Sequence, residues 1–376
     1  MRFSDITGHD SIKKVLTAMA DSGRVPHAML FYENEGCGAL PLALAFVQYL
    51  ECRHRHDGDS CGECPSCGKI SRLIHPDLHF IFPVAGGPKA DSSSKPTSDS
   101  YMRYWRELVL KNPYFLENDL FRALGIEGKA GNIAVAEAKS ILEKLSLSPV
   151  ENGYRSFIVW LPEKMNTETA NRLLKAVEEP PEKTLFIFIT HAPEKVLQTI
   201  FSRCLSLRIP PQDKTEVETA VARLCGEDSD EIRIQSGICG GSVGRALSAL
   251  SGKEEETGFL DIFADLMNAV LAKDLYAALE TGDAIAALDS REKQKAFCTF
   301  AGDCIRKIFM MQNCMEQISW IAPQESAFFK ETAARLQPGF CRKALDFIDK
   351  ASALIDRNVN AKIVFCDLVN RMFLSV

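Results

Sequence analysis

Glu33-Asn34-Glu35-Gly36-Cys37-Gly38-Ala39-Leu40 joins a short apolar run, Ala28-Met29-Leu30-Phe31-Tyr32, to a longer one over residues 40–50. The first run has the length and apolarity of a buried strand. The second has no β-branched residue apart from Val47, and Pro41 falls in a first turn that needs no N–H, so it reads as a buried helix. Strand, glycine turn and helix is the architecture of a phosphate-binding loop, G-x-x-x-x-G-K-[ST]. On that pattern the first glycine is Glu33, the second is Gly38, the lysine is Ala39 and the hydroxyl residue is Leu40. The turn keeps Gly36 and Gly38. It has no ammonium for the β and γ phosphates and no hydroxyl for Mg²⁺, and Glu33 brings negative charge to a place meant for anions. An ordinary glycine turn in an α/β protein has the same outline, and the rest of the chain decides between the two.

At 376 residues the chain is long enough for two or three domains. Its 46% hydrophobic and 25% charged residues are a soluble globular composition, and a net charge of −6 gives no overall basic field toward nucleic acid. Residues 1–5 lack the apolar core of a signal peptide, and no run approaches a membrane span. The thirteen cysteines are an odd total, several of them in helical apolar patterns, which points to a reducing compartment and hence the cytoplasm.

Four of those cysteines, Cys52, Cys61, Cys64 and Cys67, form a C-x8-C-x2-C-x2-C cluster. Thiolates at this spacing can surround one metal tetrahedrally, with Gly62, Pro65 and Gly68 supplying turn chemistry. A site closed by four thiolates has no open position, so the expected ion is a structural zinc. Four unrelated cysteines or a redox C-x-x-C pair are the other readings. His54, His56 and His75 lie close enough in sequence to be alternative ligands, whereas His27, alone at a strand entry, reads as structural.

Residues 77–82 read as a strand, and 83–100, rich in Gly, Ser, Pro and Lys, as a mobile loop. Helical patterns follow over 101–110, 118–124 and 135–145. Residues 155–161 form an apolar parallel-type strand. Where a phosphate-loop enzyme would carry Asp-Glu at its end, this strand has Trp160 and Leu161, with Glu163 two or three residues late. A helix over 167–177 stops before Pro180-Pro181. A strand over 184–189, a short helix over 194–200, Ser202-Arg203-Cys204 and a strand over 205–209 complete an α/β parallel sheet. Beyond Pro211 the pattern is helical: 214–224, 229–235, a segment opened by Gly240-Gly241, then 259–273, 292–317, 325–336, 342–356 and 361–374.

Several stretches together resemble the bacterial clamp-loader subunits of DNA polymerase III. Asn171-Arg172-Leu173-Leu174-Lys175-Ala176-Val177-Glu178-Glu179-Pro180-Pro181 resembles their N-x-LLK-x-(L/I/V)-EEPP signature, and Ser202-Arg203-Cys204 their SRC motif. The cysteine cluster is similar in place and spacing to their zinc module. Gly241-Ser242-Val243-Gly244-Arg245 resembles the sensor-2 segment of their lid, and Asn358-Val359-Asn360 their collar. The resemblance covers nearly the whole chain except residues 83–131. It implies an AAA+ domain over 1–208, an α/β, RecA-like parallel sheet of the P-loop NTPase type with a degenerate phosphate loop and a zinc module at 52–67. A small helical lid over 209–255 and an all-α collar over 256–376 would follow.

Motor subunits of that family carry the intact loop and the acidic strand end. This chain has neither and keeps Arg203, so it resembles the subunit that does not hydrolyse ATP. The resemblance then makes Arg203 an arginine finger acting in trans. It leaves Gly36, Gly38 and Arg245 as remnants of a nucleotide site. The implied partners are the motor (gamma/tau) and delta subunits in a pentamer, the sliding clamp, and primer-template DNA reached through the complex, with no membrane. Two other readings are an active AAA+ ATPase using different residues and a zinc-bearing nucleic-acid adaptor. The missing lysine and acids oppose the first; the helical C-terminal region and Ser202-Arg203-Cys204 oppose the second. Taken singly, Arg203 reads as a surface arginine or a local ion pair, and Arg245 as a surface residue with no phosphate to meet.

Overall fold

The computed structural model describes residues 1–87, 96–127, 129–151, 153–251, 253–313, 315, 325–337 and 339–376. Helix α1, Asp10–Asp21, precedes strand β1, Ala28–Glu33. The glycine turn leads into α2, Ala39–Glu51, which is buried on nearly every side. Helix α3, Pro65–Ser71, and strand β2, Leu78–Ile81, come next. Helices α4, Met102–Lys111, α5, Glu117–Leu124, and α6, Val135–Ser146, run to β3, Arg155–Trp160. Helix α7, Thr167–Glu178, joins β3 to β4, Thr184–Thr190, and α8, Gln198–Phe201, precedes β5, Leu205–Ile209.

The five strands form one sheet in the order β2-β3-β4-β1-β5, every pair parallel. Leu30 of β1 lies opposite Phe188 of β4 and Ser206 of β5. Helices cover both faces, so β3 and β4 are buried along their whole length, as parallel strands require. On one face Phe82 stacks on Trp105 at 4.3 Å between ring centroids, and Trp105 meets Trp160 edge-on at 5.9 Å. On the other, Phe157, Phe186 and Phe188 pack against α6 and α7. Burying each such ring stabilises the fold by roughly 1.5–3 kcal/mol. β5 is the edge strand, and Leu205, Ser206 and Arg208 on it are exposed. The glycine turn leaves the C-terminal end of β1, the region where open parallel sheets place their ligands.

Three sequence expectations need correction. The helix expected over 194–200 is split into a 3₁₀ turn, Pro193–Lys195, and α8, because Val196 is extended and breaks the hydrogen-bond ladder. The loop expected over 83–100 falls partly outside the described residues, at 88–95. Its described ends are tied down: Val84 and Asn132 exchange two backbone hydrogen bonds of 3.0 Å, and buried Ser98 opens a 3₁₀ turn, Ser98–Tyr101. The Ser98 hydroxyl donates to Glu137 Oε1 at 2.8 Å. The helix expected to reach 317 ends at Gln312, and 316–324 lie outside the described residues.

After the sheet come α9, Lys214–Cys225, α10, Asp230–Ile238, and α11, Val243–Ser251. The chain divides into two compact units, Met1–Ser248 and Ala249–Val376. The second unit is helical: α12, Lys253–Ala272, α13, Leu275–Ala286, α14, Arg291–Gln312, α15, Ser326–Arg335, α16, Phe340–Asp356, and α17, Ala361–Phe373. Phe263, Phe297, Ile305, Phe329 and Phe365 lie fully buried at its centre. Asn358, at a left-handed φ of 63°, ends α16, and the Asn360 side chain caps α17 by accepting from Lys362 N at 3.0 Å. Helix α13, which the sequence did not reveal, lies along α17. At Gly282 a Cβ would come within 3.1 Å of Val369 Cγ2, so glycine permits the close approach. Among the described residues no helix is long and apolar enough to cross a membrane.

Candidate functional site

The turn after β1 is built around left-handed glycines, Gly36 at φ 78° and Gly38 at φ 118°. Gly38 caps α2 without any side-chain bond of its own. Glu33 supplies one instead: its Oε2 accepts from Ala39 N at 2.7 Å, satisfying a first-turn N–H that the helix leaves free. The other carboxylate oxygen lies 3.6 Å from His191 Nε2, just past the end of β4. Burial lowers the His191 pKa, but Glu33, then Glu35 and Glu163, outweigh it and hold the imidazole above its ordinary value. His9 Nε2 lies 2.9 Å from the Cys37 carbonyl, which fits a donated hydrogen bond, and burial draws His9 down. Cys37 itself is buried and its thiol is pushed up to about 12, so it is no nucleophile.

The segment Gly241-Ser242-Val243-Gly244-Arg245 closes directly on this turn. Ser242 Oγ donates to Glu35 O at 2.7 Å, and Gly244 N donates to Gly36 O at 3.0 Å. A Cβ on Gly244 would stand 2.1 Å from the Tyr114 carbonyl oxygen and 3.0 Å from Gly36 Cα, so only glycine fits. Tyr114 and Leu116 wall the remaining side, and Glu117 N donates to Glu35 Oε1 at 2.5 Å. Nucleotide, which the fold class implies, does not fit these residues. The lysine and hydroxyl positions hold Ala39 and Leu40, 0% and 3% exposed, and the amide that would meet a phosphate already donates to Glu33. Arg245 is exposed, and its backbone N donates to Ser242 Oγ at 3.1 Å.

The end of β3 is equally unsuited to Mg²⁺. Trp160 and Leu161 are buried, and Glu163 accepts from Thr190 Oγ1 at 2.7 Å and His191 N at 3.2 Å, which pins it to β4. Sequence reasoning noted Glu33 as misplaced charge and did not see its partners. His9, Tyr114 and His191 were missed as parts of the site; the one available signal was a histidine immediately after a buried strand.

Arg203 follows α8 beside edge strand β5, away from the loop of its own chain. Its guanidinium pairs with Glu178 of the Glu178-Glu179-Pro180-Pro181 stretch, donates to Thr199 O at 2.7 Å, and leans on Ser202 Oγ at 3.3 Å. Its side chain is 31% exposed. Cys204 is pushed up to about 12 by burial, which fits a packing role.

Cys52 ends α2, Cys64 caps α3, Cys67 lies in its first turn, and Cys61 precedes left-handed Gly62. The four Sγ atoms lie within 4.8 Å of one another, with Cys52–Cys61 at 3.5 Å and Cys61–Cys67 at 3.9 Å. A tetrahedral ion with metal–sulfur bonds of about 2.3 Å sets neighbouring sulfurs about 3.8 Å apart. The cluster therefore fits a metal. Backbone N–H groups of Cys61 and Cys64 point at Cys52 Sγ and Cys61 Sγ, at 3.2 and 3.4 Å. N–H groups of Glu63 and Cys64 pull the Cys61 thiol down to about 6, while burial raises Cys52 and Cys67. His75, an expected alternative ligand, is committed elsewhere: its Nδ1 accepts from Asp77 N at 3.2 Å and its Nε2 faces Glu151 at 3.3 Å. His54 and His56 are not part of the four-sulfur group.

Sheet order and the glycine turn after β1 define the class: an AAA+ type α/β domain built on a five-stranded parallel sheet, followed by a helical region. The chain belongs to the DNA polymerase III delta subunit family, whose model matches residues 8–213. It is 29% identical over 191 residues to the DNA polymerase III subunit delta' of Yersinia pestis, covering 50% of this chain and 43% of the relative. It is 26% identical over 364 residues to the subunit gamma/tau of Mycobacterium tuberculosis, covering 89% and 54%. The chain thus spans about half the length of these curated relatives. A gamma subunit-related protein of Thermotoga maritima aligns over 96% of this chain and 99% of its own, at 16% identity and a TM-score of 0.38.

Proposed function

We propose that this chain is the non-hydrolysing, delta-prime-type subunit of a DNA polymerase III clamp loader. One observation carries the choice: the lysine and hydroxyl positions of the phosphate loop are filled by buried Ala39 and Leu40. Identity alone does not separate delta' from gamma/tau, since relatives of both kinds match. A motor subunit needs cationic and metal-held charge at the transferring phosphoryl group, and its loss costs orders of magnitude in rate. In this reading the chain contributes to replication as a cytoplasmic component of the polymerase III holoenzyme. It assembles with gamma/tau motor subunits and delta in a pentamer that places the sliding clamp on primer-template DNA. Zinc on Cys52, Cys61, Cys64 and Cys67 is structural.

Arg203 is the residue that acts on chemistry, in the neighbour's site. A guanidinium beside the edge strand can cross a subunit boundary, its fork suits γ-phosphate oxygens, and it keeps its charge at neutral pH. An arginine supplied in trans is worth roughly 10³–10⁵ in phosphoryl-transfer rate. The test is clamp- and DNA-stimulated ATPase of the reconstituted complex carrying Arg203→Ala, with the isolated chain as a zero-turnover control. Hydrolysis at the adjacent motor site is expected to fall by orders of magnitude while assembly and metal content hold. Unchanged ATPase and loading would remove Arg203 from the mechanism.

A further inference from the structure

The loop after β1 has lost the groups that hold nucleotide, yet it has kept the geometry that holds an anion. Gly36 and Gly38 still turn the backbone toward the start of α2, and the Ala39 N–H still points into the turn. A helix N-terminus of this kind attracts negative charge through its free N–H groups and its dipole. In this chain the anion is already present. Glu33 is 8% exposed and comes from the strand itself, at the position where the loop pattern has its first glycine. One oxygen takes the Ala39 amide at 2.7 Å and the other faces His191 at 3.6 Å. His191 is fixed in turn by an edge-on contact with Trp160, 5.7 Å between centroids, and by Glu163 on its backbone N. A buried carboxylate without such partners would be strongly destabilising, so this set is a matched site and not an accident of packing. The lid segment then lies on the filled loop, through Gly244 N to Gly36 O and Ser242 Oγ to Glu35 O.

We propose that the loop remains a phosphate-class anion site whose permanent occupant is the carboxylate of Glu33, which fixes the turn and the overlying lid segment without nucleotide. This deepens the reading of the chain as a non-hydrolysing subunit and rests on it only for its purpose, since the anion site can be measured on the isolated chain. Replacing Glu33 by glycine restores the residue of the loop pattern and vacates the site. The Ala39 amide and His191 then face an opening that a free phosphate oxygen can fill.

The experiment compares wild type, Glu33→Gly and Glu33→Gln in thermal melts with sodium pyrophosphate against sodium chloride at equal ionic strength, with calorimetric titration of pyrophosphate. Wild type is expected to bind no pyrophosphate and to melt equally in both salts. Glu33→Gly is expected to melt several degrees lower and to recover by about 3 °C or more in saturating pyrophosphate. Glu33→Gln keeps the shape and removes the charge; its Ala39 amide resonance should move and its melting point fall. The proposal is overturned if pyrophosphate shifts wild type and Glu33→Gly alike, which would be binding to surface cations. It is overturned equally if Glu33→Gly melts like wild type or gains nothing from pyrophosphate. Should Glu33→Gly fail to fold, an unmoved Ala39 resonance and melting point in Glu33→Gln overturn it alone. None of these results touches Arg203, so the function proposed above stands or falls separately.

Discussion

Arg203 is engaged by its own chain, through Glu178 and Thr199, so any role across a subunit boundary begins with releasing that pair. Both side chains are partly exposed, 31% and 42%, and exposed ion pairs are worth only about 0–1 kcal/mol, so release is cheap. At the opposite edge of the sheet, His79 of β2 packs on Phe157 at 4.9 Å. Burial, and then the charge of Lys144, pulls its pKa from 6.5 to about 4. The unfolded chain therefore binds more protons between these values, so stability is complete above about 6.5 and is lost as pH falls toward about 4. Unfolding free energies from urea titrations should fall by up to about 3 kcal/mol as pH drops across that interval, and His79→Phe should flatten this part of the curve. A variant with the wild-type slope would show that another group titrates.

At the scale of elements, the cysteine cluster ties the C-terminal end of α2 to the start of α3. A metal held there would couple its binding to local folding. Purified protein is expected to hold one zinc per chain, and Cys67→Ser to lose it, with faster amide exchange over residues 52–71 and no change in β3 or β4. Full metal content in the variant, or exchange spreading into the sheet, would contradict this. The strands were legible because parallel strands buried on both faces are unbroken apolar runs, as in Phe157-Ile158-Val159 and Phe186-Ile187-Phe188. The cysteines were legible because their spacing is the chemistry. Helix α13 was not legible: its alanines and Gly282 show no strong stripe, and its buried side is chosen by α17. The Glu33 contact was hidden for a different reason. The sequence displays a charge, but its partner is a backbone amide six residues on, and nothing in residue types announces where an amide points.

At the scale of the molecule, each compact unit has its own core. Residues 1–251, which keep α11 whole, are therefore expected to fold alone, melt cooperatively and retain metal. They are expected not to join motor and delta subunits in gel filtration, because the second unit carries exposed Tyr276, Ile363 and Leu374, 73%, 65% and 83% accessible. Entry of the truncated chain into the complex would move assembly to the first unit. The seated Glu33 also bears on the order in which substitutions toward an intact phosphate loop could be made. A lysine placed at position 39 alone would put an ammonium at a fully buried position next to a turn whose amide Glu33 already holds. A glycine placed at position 33 alone would strip the loop of its anion while Trp160 and Leu161 still offered no hold on Mg²⁺. For a non-hydrolysing subunit, as proposed above, each single step toward ATP use is expected to weaken the protein before it yields any turnover, and the route back to a motor would act as a ratchet.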